Sequence, residues 1–136
     1  MSKLTVDSAS QAETVRSALT LKAMIHDRTG AMVAAPSCSL PEARGGDRNF
    51  DYRYSWVRDS TFAARSLGDL GCDEEADAFR RFIERSAAGN AKDLQVAFGL
   101  GGERRLDEIE LEHLEGYRGA APVRIGNAAE IGRAHV

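Results

Sequence analysis

One dense segment decides how the sequence is interpreted: RNFDYRYSWVRD, residues 48–59, which holds four aromatic residues, three arginines and two aspartates. A sugar presents flat CH faces and a rim of hydroxyl groups, so its binding site needs an aromatic platform beside hydrogen-bonding groups. Trp56 fits the platform, Arg58 a forked donor, and Asp59 an acceptor for two hydroxyls. The alternative is that the aromatic rings fill a core while arginine and aspartate form a buried ion pair. Composition alone leaves both interpretations open.

Helical periodicity lies on both sides of this segment. Apolar residues at helical spacing predict one helix over 11–26, which Gly30 ends. A second helix is predicted over 57–70. Asp73 is expected to cap a third, with glutamates in its first turn, where the helix dipole favours acids. The apolar stripe of that helix is predicted from the following residues: Ala76, Phe79, Phe82, Ile83 and Ala87.

The remaining segments are predicted to connect these helices. Residues 31–35 form a short apolar stretch that we expect to be buried, and 36–47 form a loop rich in Pro, Gly and Ser. A short strand is predicted over 94–98. The acidic segment 106–114 is expected to be a solvated face, either extended or briefly helical, and 116–127 to be a loop. The fold class predicted from these elements is all-α.

Composition excludes several classes of function. The chain has 136 residues, 43% hydrophobic and 29% charged, which is typical of one soluble globular domain. Its net charge of -3 favours neither nucleic acid nor an anionic membrane as a partner. Two distant cysteines and three isolated histidines predict free thiols and no metal site, and no cofactor is expected. A polar start without an apolar leader segment predicts a cytoplasmic location.

Several separate motifs, in a fixed order, resemble glycoside hydrolase family 15, which contains glucoamylases, glucodextranases and bacterial and archaeal trehalases. The resemblance runs from about Val15 to Ala129. Residues 48–59 carry its most specific part. The other matching stretches are GAMVAAP (30–36), SLPE (39–42), GG (45–46), GERRL (102–106), HLEGYRG (113–119) and PVRIGNA (122–128).

The resemblance implies a fold and a site. The family fold is an (α/α)6 barrel of the six-hairpin glycosidase type, and its chemistry is inverting hydrolysis of α-glucosides such as trehalose or α-glucan oligosaccharides. Its Trp-x-Arg-Asp motif, with a tyrosine four residues before the tryptophan, lines the subsite for the non-reducing glucose. The matching residues here are Tyr52, Trp56, Arg58 and Asp59.

The resemblance also implies that part of the family's machinery is missing from this chain. The family's general acid lies in a Trp-Glu motif downstream of the RIGN segment, yet no tryptophan follows Trp56. No residue is therefore assigned as catalytic, and the chain alone is expected to be inactive. We expect a disordered N-terminus over 1–10 and the first part of the barrel over 11–129. The final residues, 130–136, resemble a translated sequencing-adapter oligonucleotide and are expected to be non-native.

An incomplete barrel predicts unpartnered helix faces. The apolar stripes on 15–25 and 76–87 would then lack neighbours and make the isolated chain prone to association. Two other functions remain open from the sequence. The chain could belong to a sugar-binding module without catalysis, or to a helical interaction domain in which the aromatic segment is core.

Overall fold

The structure is a helical scaffold with two short antiparallel strand pairs in the described residues. A computed structural model describes residues 7–127. No helix among these residues is long and apolar enough to cross a membrane. The helices are α1 (Gln11–Ala23), α2 (Val57–Asp69) and α3 (Asp73–Ser86). The antiparallel pairs are β1 (Ser55–Trp56) with β2 (Ala97–Phe98), and β3 (Ile109–Leu111) with β4 (Val123–Ile125).

Some of the predicted segments fall at the two ends of the chain. Residues 1–6 of the predicted disordered N-terminus, and the whole of the predicted non-native tail at 130–136, lie outside the described residues. Ser8–Ser10 form a single turn of 3-10 helix that leads directly into α1. Two further 3-10 turns cover Ala91–Asp93 and Tyr117–Gly119.

The first helix begins where the sequence predicts but ends three residues early, at Ala23. Beyond it, Ile25 forms an antiparallel bridge with Met32, and the His26 amide donates to the Ala31 carbonyl at 2.8 Å. These pairings take backbone donors that a longer helix would use internally. Gly30 makes the turn possible with a φ of 78°.

Helices α2 and α3 form a hairpin around the main apolar core. Only residues 70–72 connect the two helices, so they lie side by side. Leu67, Phe79 and Phe82 are buried between them, and the Phe82 ring meets the Phe98 ring edge-on at 6.3 Å between centroids. The stripe on 76–87, expected to lack partners, is therefore largely covered, because α2 and β2 pack against it.

The start of α3 differs from prediction by one residue. Cys72 occupies the N-cap position, and Asp73 is the first helical residue. The connection at 70–72 explains this shift of the N-cap, because the Cys72 amide still donates to the Leu67 carbonyl of α2, at 2.8 Å. The acids of the first turn face the positive end of the helix dipole as expected. One of them, Glu75, forms an ion pair with Lys22 that links α3 to α1.

Two predictions about the strands need correction. The strand predicted over 94–98 is confined to Ala97–Phe98, which pairs with β1. The loop predicted over 116–127 is wrong for Val123–Ile125, which pairs in register with Ile109–Leu111. Ile109–Leu111 lies in the acidic segment 106–114, which was predicted to be either extended or briefly helical, and the extended conformation is thereby confirmed. Charge contributes to the pairing, because Glu110 lies directly across from Arg124.

Helix α1 packs more loosely than α3. None of its residues is buried, and Val15 and Leu19 are 52% and 59% exposed. Leu21 within the helix, and Met24 and Ile25 directly after it, pack partly against the core. Val15 and Leu19, at the N-terminal end of the stripe on 15–25, are therefore exposed in the described part of the chain.

Candidate functional site

The segment at 48–59 is held by the backbone of the loop that precedes it. The amides of Ala34 and Ala35 donate to the carbonyls of Tyr54 and Tyr52, both at 3.1 Å. The Tyr52 amide donates in turn to the Ser37 carbonyl at 3.2 Å. Backbone hydrogen bonds therefore join residues 34–37 to residues 52–54, although neither stretch is a regular strand. These bonds couple the positions of Tyr52 and Tyr54 to residues 34–37.

Trp56 marks the point where extended backbone becomes helix. Its φ and ψ of -83° and 118° are those of a strand, and it is both the last residue of β1 and the N-cap of α2. Arg58 and Asp59 follow in the first turn of that helix. The strand-to-helix junction therefore places the platform candidate and the two charged candidates at one corner of the fold.

All four residues predicted for the site line a single cavity of about 480 Å³. This size is typical of pockets that take small molecules. The cavity, named here the Trp56 cavity, is completed by residues from three other segments. Its lining consists of Tyr52, Trp56, Arg58 and Asp59 together with Ala34, Phe50, Glu108 and Asn127.

The charged pair in this cavity is open to solvent. The side chains of Arg58 and Asp59 are 76% and 53% exposed, and their closest contact, Nη2 to Oδ2, measures 3.3 Å. Nε and Nη2 of Arg58 donate to the Asp59 carboxylate at 3.3–3.4 Å, which are long hydrogen bonds between adjacent residues of a helix. An exposed pair of this kind contributes little to stability, and the remaining donors of Arg58 and lone pairs of Asp59 stay accessible to a ligand.

Tyr52 is oriented by a glutamate from the preceding loop. Its phenol oxygen lies 3.3 Å from Oε1 of Glu42, and the other carboxylate oxygen of Glu42 accepts from Nε of Arg48 at 2.8 Å. Burial and the neighbouring Glu42 carboxylate both raise the pKa of Tyr52 above its usual value. The phenol therefore remains a hydrogen-bond donor throughout the physiological pH range.

In a second arginine–aspartate pair of the same segment, the carboxylate is buried and the arginine is about half exposed. Asp51 is 1% exposed and accepts from Nε and Nη2 of Arg53 at 2.9 and 2.8 Å. It also accepts from the backbone amides of Arg53, at 3.1 Å, and Gly126, at 3.3 Å. Burial alone would raise the pKa of Asp51, but these bonds outweigh it and hold the pKa below its ordinary value. This pair matches the structural alternative that the composition left open.

Four residues of the Trp56 cavity were not predicted as site residues: the apolar Ala34 and Phe50 and the polar Glu108 and Asn127. Glu108 belongs to the acidic segment expected to be a solvated face, and Asn127 ends the segment expected to be a loop. The missed signal is the alternation of acidic and apolar residues over 108–112, which is typical of a strand. A strand there brings Glu108 towards the cavity, and Asn127 is fixed by the bond from its Nδ2 to the Asp51 carbonyl at 3.2 Å.

Neither the thiols nor the acids form a metal centre in the described part of the chain. Cys38 and Cys72 are both free, as predicted. Among residues 7–127, no three His, Cys, Asp or Glu side chains gather closely enough to hold a metal ion.

Comparison with known proteins identifies the family. The model of "Glycosyl hydrolases family 15" matches residues 9–132, and the chain belongs to this family. The family implies a six-hairpin glycosidase fold, and the α2–α3 hairpin is compatible with that fold. No solved structure matches the chain at a significant level.

Proteins named trehalase are among its relatives. The chain is 57% identical over 123 residues to a trehalase from Mycolicibacterium smegmatis and 54% identical to one from Mycobacterium tuberculosis. Each match covers 88% of this chain and 18% of the relative. A trehalase from Thermoplasma acidophilum is 43% identical over 115 residues, which cover 85% of this chain and 19% of that protein. The chain thus spans less than a fifth of the length of these curated relatives.

Proposed function

We propose that this chain is part of an inverting α-glucoside hydrolase that acts on trehalose or on α-glucan oligosaccharides. Its contribution is part of the glucose-binding subsite, formed by Tyr52, Trp56, Arg58 and Asp59. The convergence of these four residues on one cavity carries this proposal. The identity to proteins named trehalase favours trehalose among the α-glucosides.

Each residue has a role that follows from its chemistry. The partly exposed Trp56 ring offers a flat apolar surface to the CH face of glucose. The exposed guanidinium of Arg58 donates to neighbouring hydroxyls in a fork, and the Asp59 carboxylate accepts from two hydroxyls. The Tyr52 phenol donates its one hydrogen to Glu42, so its oxygen supplies a further acceptor.

Inverting hydrolysis needs two carboxyl groups, one to protonate the leaving oxygen and one to activate water, roughly 6.5–9.5 Å apart. The proposal assigns neither role within this chain. The chain's own part is to hold the glucose ring in a fixed orientation, which lowers the entropic cost of the reaction. In the same proposal, α2 and α3 form one helical hairpin of the (α/α)6 barrel.

Tryptophan fluorescence provides a direct test, because Trp56 is the chain's single tryptophan. We expect trehalose to produce a saturable change in Trp56 emission in the 136-residue chain. Replacement of Tyr117, an exposed ring outside the cavity, by alanine is the matched control and should leave the titration unchanged. A response to maltose without one to trehalose would assign the substrate to the α-glucans. No response to either sugar would contradict sugar binding by this chain.

A second candidate is an interaction module rather than an enzyme. It is favoured by an open groove of about 620 Å³ between α2 and α3, whose apolar lining includes Phe79 and Ile83. Activity in a full-length protein containing this segment separates the candidates. In a hydrolase, Trp56→Ala abolishes trehalose cleavage while the thermal unfolding curve is retained. In an interaction module with an aromatic core, the same substitution lowers the melting temperature first.

A further inference from the structure

We propose that Glu108 is a further ligand-binding residue of the Trp56 cavity, an inference that rests on the proposed function. Glu108 lines the cavity together with Arg58 and Asp59, although almost fifty residues of sequence separate them. Its side chain is 28% exposed, so the carboxylate is accessible without being fully solvated. An acceptor in this position binds sugar hydroxyls that the α2 residues do not reach.

Arg124 keeps the Glu108 carboxylate in place. Its Nε lies 3.3 Å from Oε1 of Glu108, and its side chain is only 17% exposed. The Arg124 guanidinium also lies 6.0 Å from the centre of the Phe50 ring, which itself lines the cavity. The Arg124 guanidinium therefore lies between the Phe50 ring and the Glu108 carboxylate and fixes the position of that acceptor in the cavity wall.

The strand that carries Arg124 is docked firmly on Ser39 and Asn49. Ser39 is buried and its backbone lies in the left-handed region, at a φ of 58°. Its hydroxyl group hydrogen-bonds to both the carbonyl and the amide of Arg124. Its Oγ donates to the Arg124 carbonyl at 2.5 Å and accepts from the Arg124 amide at 2.7 Å. Asn49 adds bonds to the carbonyls of Ala121 and Pro122 at 2.9 and 2.8 Å.

This docking makes the β3–β4 pair a fixed part of the cavity. Asp51 reinforces it by accepting from the Gly126 amide at 3.3 Å. The residues that orient the site are therefore distinct from those that contact a ligand. Ser39, Asn49 and Asp51 are positioning residues, whereas Glu108 is placed to touch the sugar.

Glu110 provides an internal control for this assignment. It lies two residues from Glu108 on the same segment and also pairs with Arg124, through Nη2 at 3.2 Å. It is 45% exposed and does not line the cavity. The two glutamates thus share a cation but differ in access to the ligand.

The test compares Glu108→Gln with Glu110→Gln in the 136-residue chain, by trehalose titration of Trp56 fluorescence. We expect Glu108→Gln to raise the apparent Kd about tenfold, because a charged hydrogen-bond acceptor is lost from the site. Glu110→Gln should change it less than about twofold, since an exposed ion pair contributes little. Equal effects of the two substitutions would show that Glu108 acts only through its ion pair with Arg124.

A second measurement on the unaltered chain covers the case in which Glu108→Gln does not fold. The side-chain carboxyl ¹³C resonance of Glu108 should shift saturably as trehalose is added, and that of Glu110 should not. A Glu108 resonance that stays fixed while Trp56 responds would overturn the role of Glu108 and leave the proposed function standing. Absence of any Trp56 response would overturn the proposed function, and the role of Glu108 with it.

Discussion

The segment at 48–59 contains two arginine–aspartate pairs that differ in burial, in contact distance and in their backbone partners. The Asp51–Arg53 pair has a carboxylate that is 1% exposed, with a 2.8 Å contact and bonds to two backbone amides. The Arg58–Asp59 pair is more than half exposed on both sides, and its closest contact is 3.3 Å. Asp51 of the first pair anchors its segment to the Gly126 amide, directly after β4. Arg58 and Asp59 line the Trp56 cavity. Identical residue types a few positions apart therefore acquire different roles from burial and from their backbone partners.

The spacing of each pair explains part of this difference. Asp51 and Arg53 are two residues apart in irregular, partly extended backbone, where side chains at this spacing can lie on the same side. Arg58 and Asp59 are adjacent on the first turn of α2, where side chains do not face each other, and their hydrogen bonds are longer, at 3.3–3.4 Å. Four predictions follow from the contrast, from the largest expected effect to the smallest.

Removal of the buried carboxylate should cause the largest loss of stability. We expect Asp51→Ala to lower the free energy of unfolding by about 2–4 kcal/mol, because Arg53 and the Gly126 amide lose their acceptor. This expected loss of unfolding free energy is smaller than the loss for a fully buried ion pair, since the Arg53 side chain is 49% exposed. Urea denaturation measures this loss. Asp59→Ala is the matched control and should stay within about 0.5 kcal/mol of the unaltered chain.

Removal of the exposed carboxylate should instead affect binding. We expect Asp59→Asn to weaken trehalose binding about tenfold, or about 1.4 kcal/mol, with stability unchanged, because the acceptor for two hydroxyls loses its charge. Trp56 fluorescence measures the affinity. Asp77→Asn, which alters an equally exposed aspartate whose arginine contact is also 3.3 Å, should have no effect. A comparable loss of affinity in both variants would contradict the role of Asp59.

The buried pair should also make stability depend on pH in acid. Since the folded-state pKa of Asp51 is lowered, its contribution is complete above the unfolded-state value of about 3.9. The contribution is lost as the pH falls from there through the folded-state pKa. The difference in unfolding free energy between the unaltered chain and Asp51→Asn should therefore be constant from about pH 5 to 7, which lies at least about one pH unit above the unfolded-state pKa. It should shrink below about pH 4, and a difference that grows in acid would reverse the assignment.

The smallest effect is expected from the exposed guanidinium. Arg58→Ala should change the unfolding free energy by less than about 0.5 kcal/mol, because its side chain is 76% exposed and its ion pair is long. Thermal unfolding followed by circular dichroism is sufficient to check this. A loss as large as that of Asp51→Ala would remove the distinction between the two pairs.

The sequence predicted the helical hairpin well and the strands poorly. The second and third helices carry clear apolar periodicity and, for α3, acids in the first turn, which are local signals. β4 pairs with a segment more than ten residues earlier and is preceded by Pro122, so no local pattern distinguished it from a loop. The early end of α1 has the same origin, because its cause is a bridge from Ile25 to Met32.

The candidate site was predicted only in part, for a similar reason. Tyr52, Trp56, Arg58 and Asp59 lie within eight residues, and the family resemblance selects them together. Glu108 and Asn127 reach the cavity only because β3 and β4 dock on Ser39, Asn49 and Asp51. Composition could not separate the two arginine–aspartate pairs either, because burial depends on contacts with residues that are distant in the sequence.

The central claim is that Tyr52, Trp56, Arg58 and Asp59 form a sugar-binding cavity. The most direct measurement is a map of backbone amide resonances of the 136-residue chain during titration with trehalose. We predict saturable shifts concentrated at residues 52–59, with further shifts at Glu108 and Asn127, whereas the α2–α3 groove around Phe79 and Ile83 remains unchanged. Shifts confined to that groove, or no saturable shifts at all, would contradict the claim.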